Sequence, residues 1–465
     1  MPRQTAYGKR PSTTRRTTGS LPTHLQHLNL NAAAIDIGAT SHFVAVPEGR
    51  DSVSVREFAT FTADLHRLAD WLEQCGVDTV VMESTGVYWI PVFELLEQRS
   101  FEVLLVDARH VKNVSGRKSD VLDCQWLQQL HTYGLLQGAF RPADQIVVLR
   151  SYLRQRAMLV RYAAIHIQHM QKALQQMNLL LHQVVADITG VTGMTIIRAI
   201  LAGERDPQLL AQHRDHRCKH SAEVIAKSLV GNYREEHLFA LAQAVALYDT
   251  YQAQIAACDQ HIEAYLASLE RVTEELPPPP PKPRSNPKGN QPQFDARTYL
   301  YRLTGVDLTR IDGIEAATAL TLIGEIGTDM RRWKTANHFV SWLGLCPNTK
   351  VSGGRVLTSK TKPTANRAAA ALRLAAGSLY RSQSALGAYY RRMQAKFGAP
   401  KAITATAHKL ARIVYSMLKH GSAYIDAGQD YHERQYKERA LRNLAQRAKT
   451  LGFELVPTAA ENAVT

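Results

Sequence analysis

Several things are scarce in this 465-residue chain. No apolar run approaches the roughly eighteen residues that a membrane-spanning helix needs. The first thirty residues carry five Lys or Arg and no acid, yet they lack the apolar core of a secretory leader. Cysteine is sparse and scattered, at Cys75, Cys124, Cys218, Cys258 and Cys346, with no Cys-x-x-Cys pair. That argues against a zinc ribbon and for reduced thiols in a cytosolic protein. No glycine-rich phosphate loop follows the first apolar run and no Walker motif occurs, which speaks against nucleotide-driven chemistry. The sharpest absence is of acid: between positions 330 and 424 there are seventeen Lys or Arg and no Asp or Glu.

That stretch outweighs the formal +15 of the whole chain, so it supplies the basic character and the pI near 9.6. Like charge concentrated on an apolar-patterned segment is the footprint of a polyanion partner, with nucleic acid the first choice. With 45% hydrophobic and 21% charged residues the chain otherwise reads as globular and large enough for more than one domain.

Residues 1–30 have no periodicity and read as a flexible basic arm. Residues 31–145 alternate strand and helix patterns. Candidate strands lie at 32–37, 42–46 and 54–60, a helix at 62–74, a strand at 78–82, a helix at 87–98, a strand at 101–106 and a helix at 120–131. Three consecutive strands predict an antiparallel meander, and the later crossovers add parallel strands to the same sheet. This is the order of an RNase H-like (RuvC-like) α/β domain. Residues 146–275 carry two long helical repeats, read either as a coiled-coil insert or as a plain bundle. Between them, residues 213–220 (His-Arg-Asp-His-Arg-Cys-Lys-His) suit an exposed basic turn better than a metal site. Residues 276–297 form a proline-rich, stiff linker. Residues 298–425 are mainly helical, and Ile311-Asp312-Gly313-Ile314 resembles a helix–hairpin–helix turn whose backbone can hold a phosphate at Gly313. Residues 426–465 read as a charged helical tail.

Two constellations carry chemistry. Asp36 lies in the first strand and Glu83 follows the fourth, so in this sheet order they are neighbours. Asp120 and Asp123 stand at i and i+3 at the start of a helix and share one face. Four carboxylates around one spot call for a hard divalent cation, Mg²⁺ or Mn²⁺, and suit phosphoryl chemistry. Asp107 pairs with none of them. The second constellation is Val351-Ser352-Gly353-Gly354. On local sequence Ser352 is first of all a residue of a Gly-Gly hairpin turn, and it also fits a nucleophile beside glycines that admit a phosphate, with Arg355, Lys360, Lys362 and Arg367 to neutralise it. A serine hydroxyl needs activation, and no base stands beside Ser352 in the sequence. A site shared between the acidic and basic domains, in cis or between subunits, is therefore expected.

Together, Ile35-Asp36-Ile37-Gly38, Met82-Glu83-Ser84-Thr85-Gly86, Lys118-x-Asp120-x-x-Asp123, the Ile-Asp-Gly-Ile turn and Gly344-Leu345-Cys346-Pro347 ahead of Ser352 resemble an IS110-family transposase of the IS1111-like branch, over residues 32 to about 420. The resemblance implies a RuvC-like DEDD domain joined to a transposase domain with a catalytic serine. It implies that Asp36, Glu83, Asp120 and Asp123 hold Mg²⁺ and that Ser352 forms a phosphoserine link to DNA. It also implies donor and target DNA, a structured noncoding guide (bridge-type) RNA, a homodimer assembling to a tetramer, and a bacterial cytoplasmic, nucleoid-associated enzyme. The proline-rich join and Cys346 depart from the family pattern. Two other readings stay open from the residues: a RuvC-type nuclease using water, which needs the acids but not Ser352, and a non-catalytic nucleic-acid-binding protein.

Overall fold

A computed structural model describes residues 29–107, 119–278, 290–426 and 428–456. Most of the arm, most of the prolines of the linker, Lys118 and the last nine residues lie outside the described residues. The chain divides into two compact units, Met1–Arg141 and Pro142–Thr465. Among the described residues no helix is long and apolar enough to cross a membrane.

The first unit is built on a five-stranded sheet, β1 (Ala32–Ile37), β2 (Ser41–Ala45), β3 (Val55–Ala59), β4 (Thr79–Glu83) and β5 (Glu102–Val106), ordered β3-β2-β1-β4-β5. The meander is antiparallel and the β1–β4 and β4–β5 pairs are parallel, as the strand and helix order predicts. Helices α1 (Thr62–Gln74) and α2 (Trp89–Gln98) cover one face, and α3 (Asp120–Thr132) covers the other. Strand alternation explains the division: Ala33, Ile35 and Ile37 join Leu68, Leu72 and Phe93 in one core, while Ala34 joins Cys124 and Leu127 in the other. The alanines of β1 let α3 approach closely. Gln128 Nε2 donates to the Ala32 carbonyl at 3.0 Å. The Cys124 thiol lies 3.3 Å and 3.0 Å from the carbonyl oxygens of Ala34 and Phe43. Gly38 ends β1 because a Cβ there would meet the Ser41 carbonyl oxygen at 2.3 Å, so the β1–β2 turn closes only on glycine.

Buried His131 on α3 lies 2.9 Å from the Thr79 hydroxyl, which itself donates to the Glu102 carbonyl. The hydroxyl has one proton, so the imidazole must donate from Nε2. Burial holds His131 down at about 4, below the ordinary 6.5. A depressed histidine makes the unfolded chain the better proton acceptor between those values, so stability falls as pH drops through that window. The expected loss is ~3 kcal/mol between pH 7 and pH 4. Urea unfolding followed by tryptophan fluorescence at several pH values measures it, and His131→Gln should flatten the dependence.

The second unit is helical. Its axis is a pair of long helices, α4 (Asp144–Gln176) and α9 (Glu235–Ser268). Leu159, Ala163 and Ile255 pack along their seam, with His166 stacked on Tyr251. Arg156 and Asp259, both buried, pair across the seam at 2.5 Å and 3.0 Å. Short helices α5 (Leu181–Val184), α6 (Val191–Leu201), α7 (Pro207–Ala211) and α8 (Ala222–Ser228) close a separate core over the far end of the pair, with Met177, Ile197 and Leu241 inside. The 213–220 stretch is an exposed turn tied by Arg214, which donates to the carbonyls of Cys218 and His220.

Past the proline-rich stretch come α10 (Ala296–Thr304), α11 (Ala316–Ile326), α12 (Ala336–Trp342), the two-stranded ribbon β6 (Lys350–Ser352) and β7 (Arg355–Thr358), then α13 (Arg367–Ser378), α14 (Ala385–Phe397), α15 (Ala399–His420) and α16 (Gly428–Thr450). Arg150 of α4 donates to the last carbonyls of α11, at Gly324 and Glu325, and Arg154 grips the Glu325 carboxylate with two bonds. These contacts satisfy carbonyls a helix end would otherwise leave unpaired.

Candidate functional site

The four acids stand in the first unit. The last registered β1–β4 pair is Ile35↔Met82, so Asp36 and Glu83 come next on each strand, at the carboxyl ends of two parallel neighbours. Alternation from Ala34 and Val81, both in the α3-facing core, turns Asp36 and Glu83 to the α3 side. Asp120 and Asp123 occupy the first turn of α3, where Ser119 caps the helix by accepting from Leu122 N–H at 3.4 Å. Negative charge there also favours the helix dipole. Asp36 and Glu83 are half-buried while Asp120 and Asp123 are exposed.

The acids sense one another. The Asp36 carboxyl is pushed above its ordinary range, first by burial and then by the charges of Asp120 and Asp123. Cys124, in the turn after them, is driven up to about 12, mainly by burial. It is an anchor rather than a nucleophile. Among the described residues no three His, Cys, Asp or Glu are gathered into a ligating group. The donor set nonetheless fits a hard divalent cation: carboxylate oxygens only, on one face, with a half-buried member raised by burial and then by its acidic neighbours. Asp107 follows β5 on the far side of β4 from β1.

The serine stands in the second unit. Ser352 pairs with Arg355 across a two-residue turn in which Gly353 and Gly354 have φ of 54° and 76°. Two positive φ values make this the hairpin turn that favours Gly-Gly, and a side chain at either glycine would meet no atom within 4 Å. Both strands are almost wholly exposed, with Val351, Val356 and Leu357 at 58%, 63% and 68%. The bridge Pro347↔Thr361 closes the base of the ribbon. Among the described residues no side chain hydrogen-bonds Ser352.

The proposed phosphate partners Arg355, Lys360, Lys362 and Arg367 are all exposed. Arg367 is the first residue of α13, after the Asn366 cap. A cation at that end of a helix opposes the dipole, and an anion there would relieve it. Gly313 is occupied structurally: its φ is 85°, and a Cβ would lie 2.7 Å from the Ala375 carbonyl of α13. Sequence reasoning missed the Cys124 anchor, since an isolated cysteine on a helix carries no signal for which carbonyls it will meet.

Residues 33–179 match the IS110 DEDD model, described as "Transposase". Residues 307–391 match a model described as "Transposase IS116/IS110/IS902 family". The first match contains all four acids, and the second contains Gly313, Ser352 and the cations that follow it. No curated protein matches the chain.

Proposed function

Since the chain belongs to the IS110 family of transposases, enzymes that cut and transfer DNA strands, we propose that it recombines insertion-sequence DNA through a covalent phosphoserine link at Ser352. The observation that carries this reading is the exposed serine beside a Gly-Gly turn, within a stretch that has seventeen cations and no acid. The Oγ–P bond forms as the P–O bond to the leaving strand breaks, and the leaving oxygen takes up a proton. Attack by the hydroxyl of the incoming strand then reverses the step and frees Ser352. Phosphodiester bonds are conserved in number, so no nucleoside triphosphate is required.

The first unit is read as an RNase H-like, RuvC-type domain over residues 31–145, and residues 298–425 as the serine-bearing domain. Asp36, Glu83, Asp120 and Asp123 would hold Mg²⁺ or Mn²⁺. Such a cation supplies charge stabilisation to the oxygens around the reacting phosphorus. Arg355, Lys360, Lys362 and Arg367 bind the backbone on either side of it, and Gly313 keeps the hairpin turn that presents α11. Guidance by a structured noncoding RNA and assembly of dimers into a tetramer are proposed from the family resemblance.

The test is covalent trapping. Protein, guide RNA, Mg²⁺ and labelled donor and target DNA are combined, denatured and examined for a protein–DNA adduct. The wild type should give one, and Ser352→Ala and Asp120→Ala should both lose it. Cleavage that survives in Ser352→Ala without an adduct would replace this reading with a nuclease that uses water.

A further inference from the structure

Helices α14, α15 and α16 bring together cations that the Ser352 chemistry does not use. Arg392 of α14 lies 3.7 Å over the ring of Tyr436 on α16. Lys409 of α15 lies 4.6 Å from the centroid of Tyr389 on α14. Lys409 is half-buried, and its ammonium is held below the ordinary lysine range by burial and then by the charges of Arg439 and Arg392. Tyr389 and Arg392 stand at i and i+3 on α14, as Tyr436 and Arg439 do on α16, so the two cation–ring contacts bring one side of each of the three helices, and its positive charge, together. Among the described residues neither Lys409 nor Arg439 has an ion-pair partner. The acid nearest to Lys409 in sequence, Asp426, is engaged elsewhere, accepting from the Ala385 N–H and the Tyr424 hydroxyl.

Converging like charges cost folding free energy, and the cost is removed when a polyanion sits between them. The aromatic faces beneath the cations fit the same partner, because nucleic-acid surfaces interleave basic and aromatic side chains. The pattern repeats nearby: Lys396 and Lys401 lie 5.1 Å and 6.0 Å from the ring of Phe397, at the corner between α14 and α15. A second such pair suits a strand with successive phosphates better than a single small anion. Further along, α16 carries six Lys or Arg against three acids.

We propose that Arg392, Lys409 and Arg439 form a phosphate-binding surface for a nucleic-acid backbone, additional to the residues around Ser352. It rests on the reading of the chain as a nucleic-acid enzyme but not on the identity of the nucleophile. The shared chemistry is a phosphodiester backbone, and the test separates DNA from RNA as its source.

Fluorescence anisotropy with the full-length protein measures Kd for a random-sequence duplex DNA and for a stem-loop RNA, over about 50 to 200 mM salt. Arg439→Gln should reduce the slope of log Kd against log salt by about 1 for whichever probe uses the surface. The triple variant Arg392→Gln/Lys409→Gln/Arg439→Gln should reduce it by about 2 to 3, with affinity weaker on the order of tenfold or more. Lys409→Arg should keep the wild-type slope, since charge rather than packing is required. Ser352→Ala should also keep it, so loss of the adduct there leaves this proposal standing. Wild-type slopes for both probes in Arg439→Gln, whose exposed side chain is safe to change, would overturn it.

Discussion

Asp36→Asn is expected to lose strand cleavage by roughly 10³-fold or more, the rate equivalent of ~4 kcal/mol of charge stabilisation. The same variant is expected to melt at a higher temperature than the wild type when divalent cations are chelated. Both follow from one placement. Asp36 is half-buried on the inner strand of a parallel pair and shares its face with Asp120 and Asp123. Its folded pKa lies above its unfolded value, so the native state is favoured below about 3.8. That advantage fades as pH rises through the folded value, and at neutral pH the ionised group is a liability. Asparagine keeps the shape and removes the charge. Added Mg²⁺ should then raise the melting temperature of the wild type and leave Asp36→Asn nearly unmoved. Thermal unfolding with chelator and with Mg²⁺, run beside a cleavage assay, reads all three. A wild type indifferent to divalent cations would sink the argument.

Asp259→Ala is expected to destabilise the second unit by ~3–5 kcal/mol. The Arg156 and Asp259 side chains are 10% and 3% exposed, and they meet through two hydrogen bonds between α4 and α9. Removing the carboxylate strands a guanidinium where water does not reach it. The loss extends beyond the seam, because Arg156 also donates to the Asn290 carbonyl at 3.2 Å and Asp259 accepts from Gln293 N–H at 3.2 Å. The pair therefore also fastens the segment around Asn290 and Gln293 to the two long helices. The double change Arg156→Met/Asp259→Leu replaces both charges with apolar volume and should recover most of the loss. Urea unfolding of the three proteins is the measurement. A cost below about 1 kcal/mol for Asp259→Ala would mean that the pair is wetter than its geometry indicates.

Much of the first unit was legible in the amino-acid order. Leu65, Leu68, Trp71 and Leu72 mark the apolar face of α1, whose observed span coincides with the expected 62–74. Three strands before the first helix leave few sheet orders open, and the neighbouring positions of Asp36 and Glu83 follow from the one observed. The i, i+3 spacing of Asp120 and Asp123 was equally readable. The short helices between α4 and α9 were not, because spans of 4 to 11 residues hold too few turns to show a period. Nor were the contacts that tie distant segments. Arg150 meets the carbonyls of Gly324 and Glu325 across more than 170 residues, and the Arg392–Lys409–Arg439 convergence depends on how three helices pack. Charge composition announces a basic region but not where its cations meet.

The ribbon that carries Ser352 has two strands of three and four residues and no buried face. A pair of strands so short has little free energy of its own to resist opening. Its order is completed by whatever lies against it, and fixing each residue costs about 1–2 kcal/mol of backbone entropy. Part of the contact energy between the ribbon and a bound strand is consumed in this way before any affinity is registered. A dissociation constant measured for a substrate of this protein therefore understates the contacts that would order the ribbon and align the serine proposed as its nucleophile.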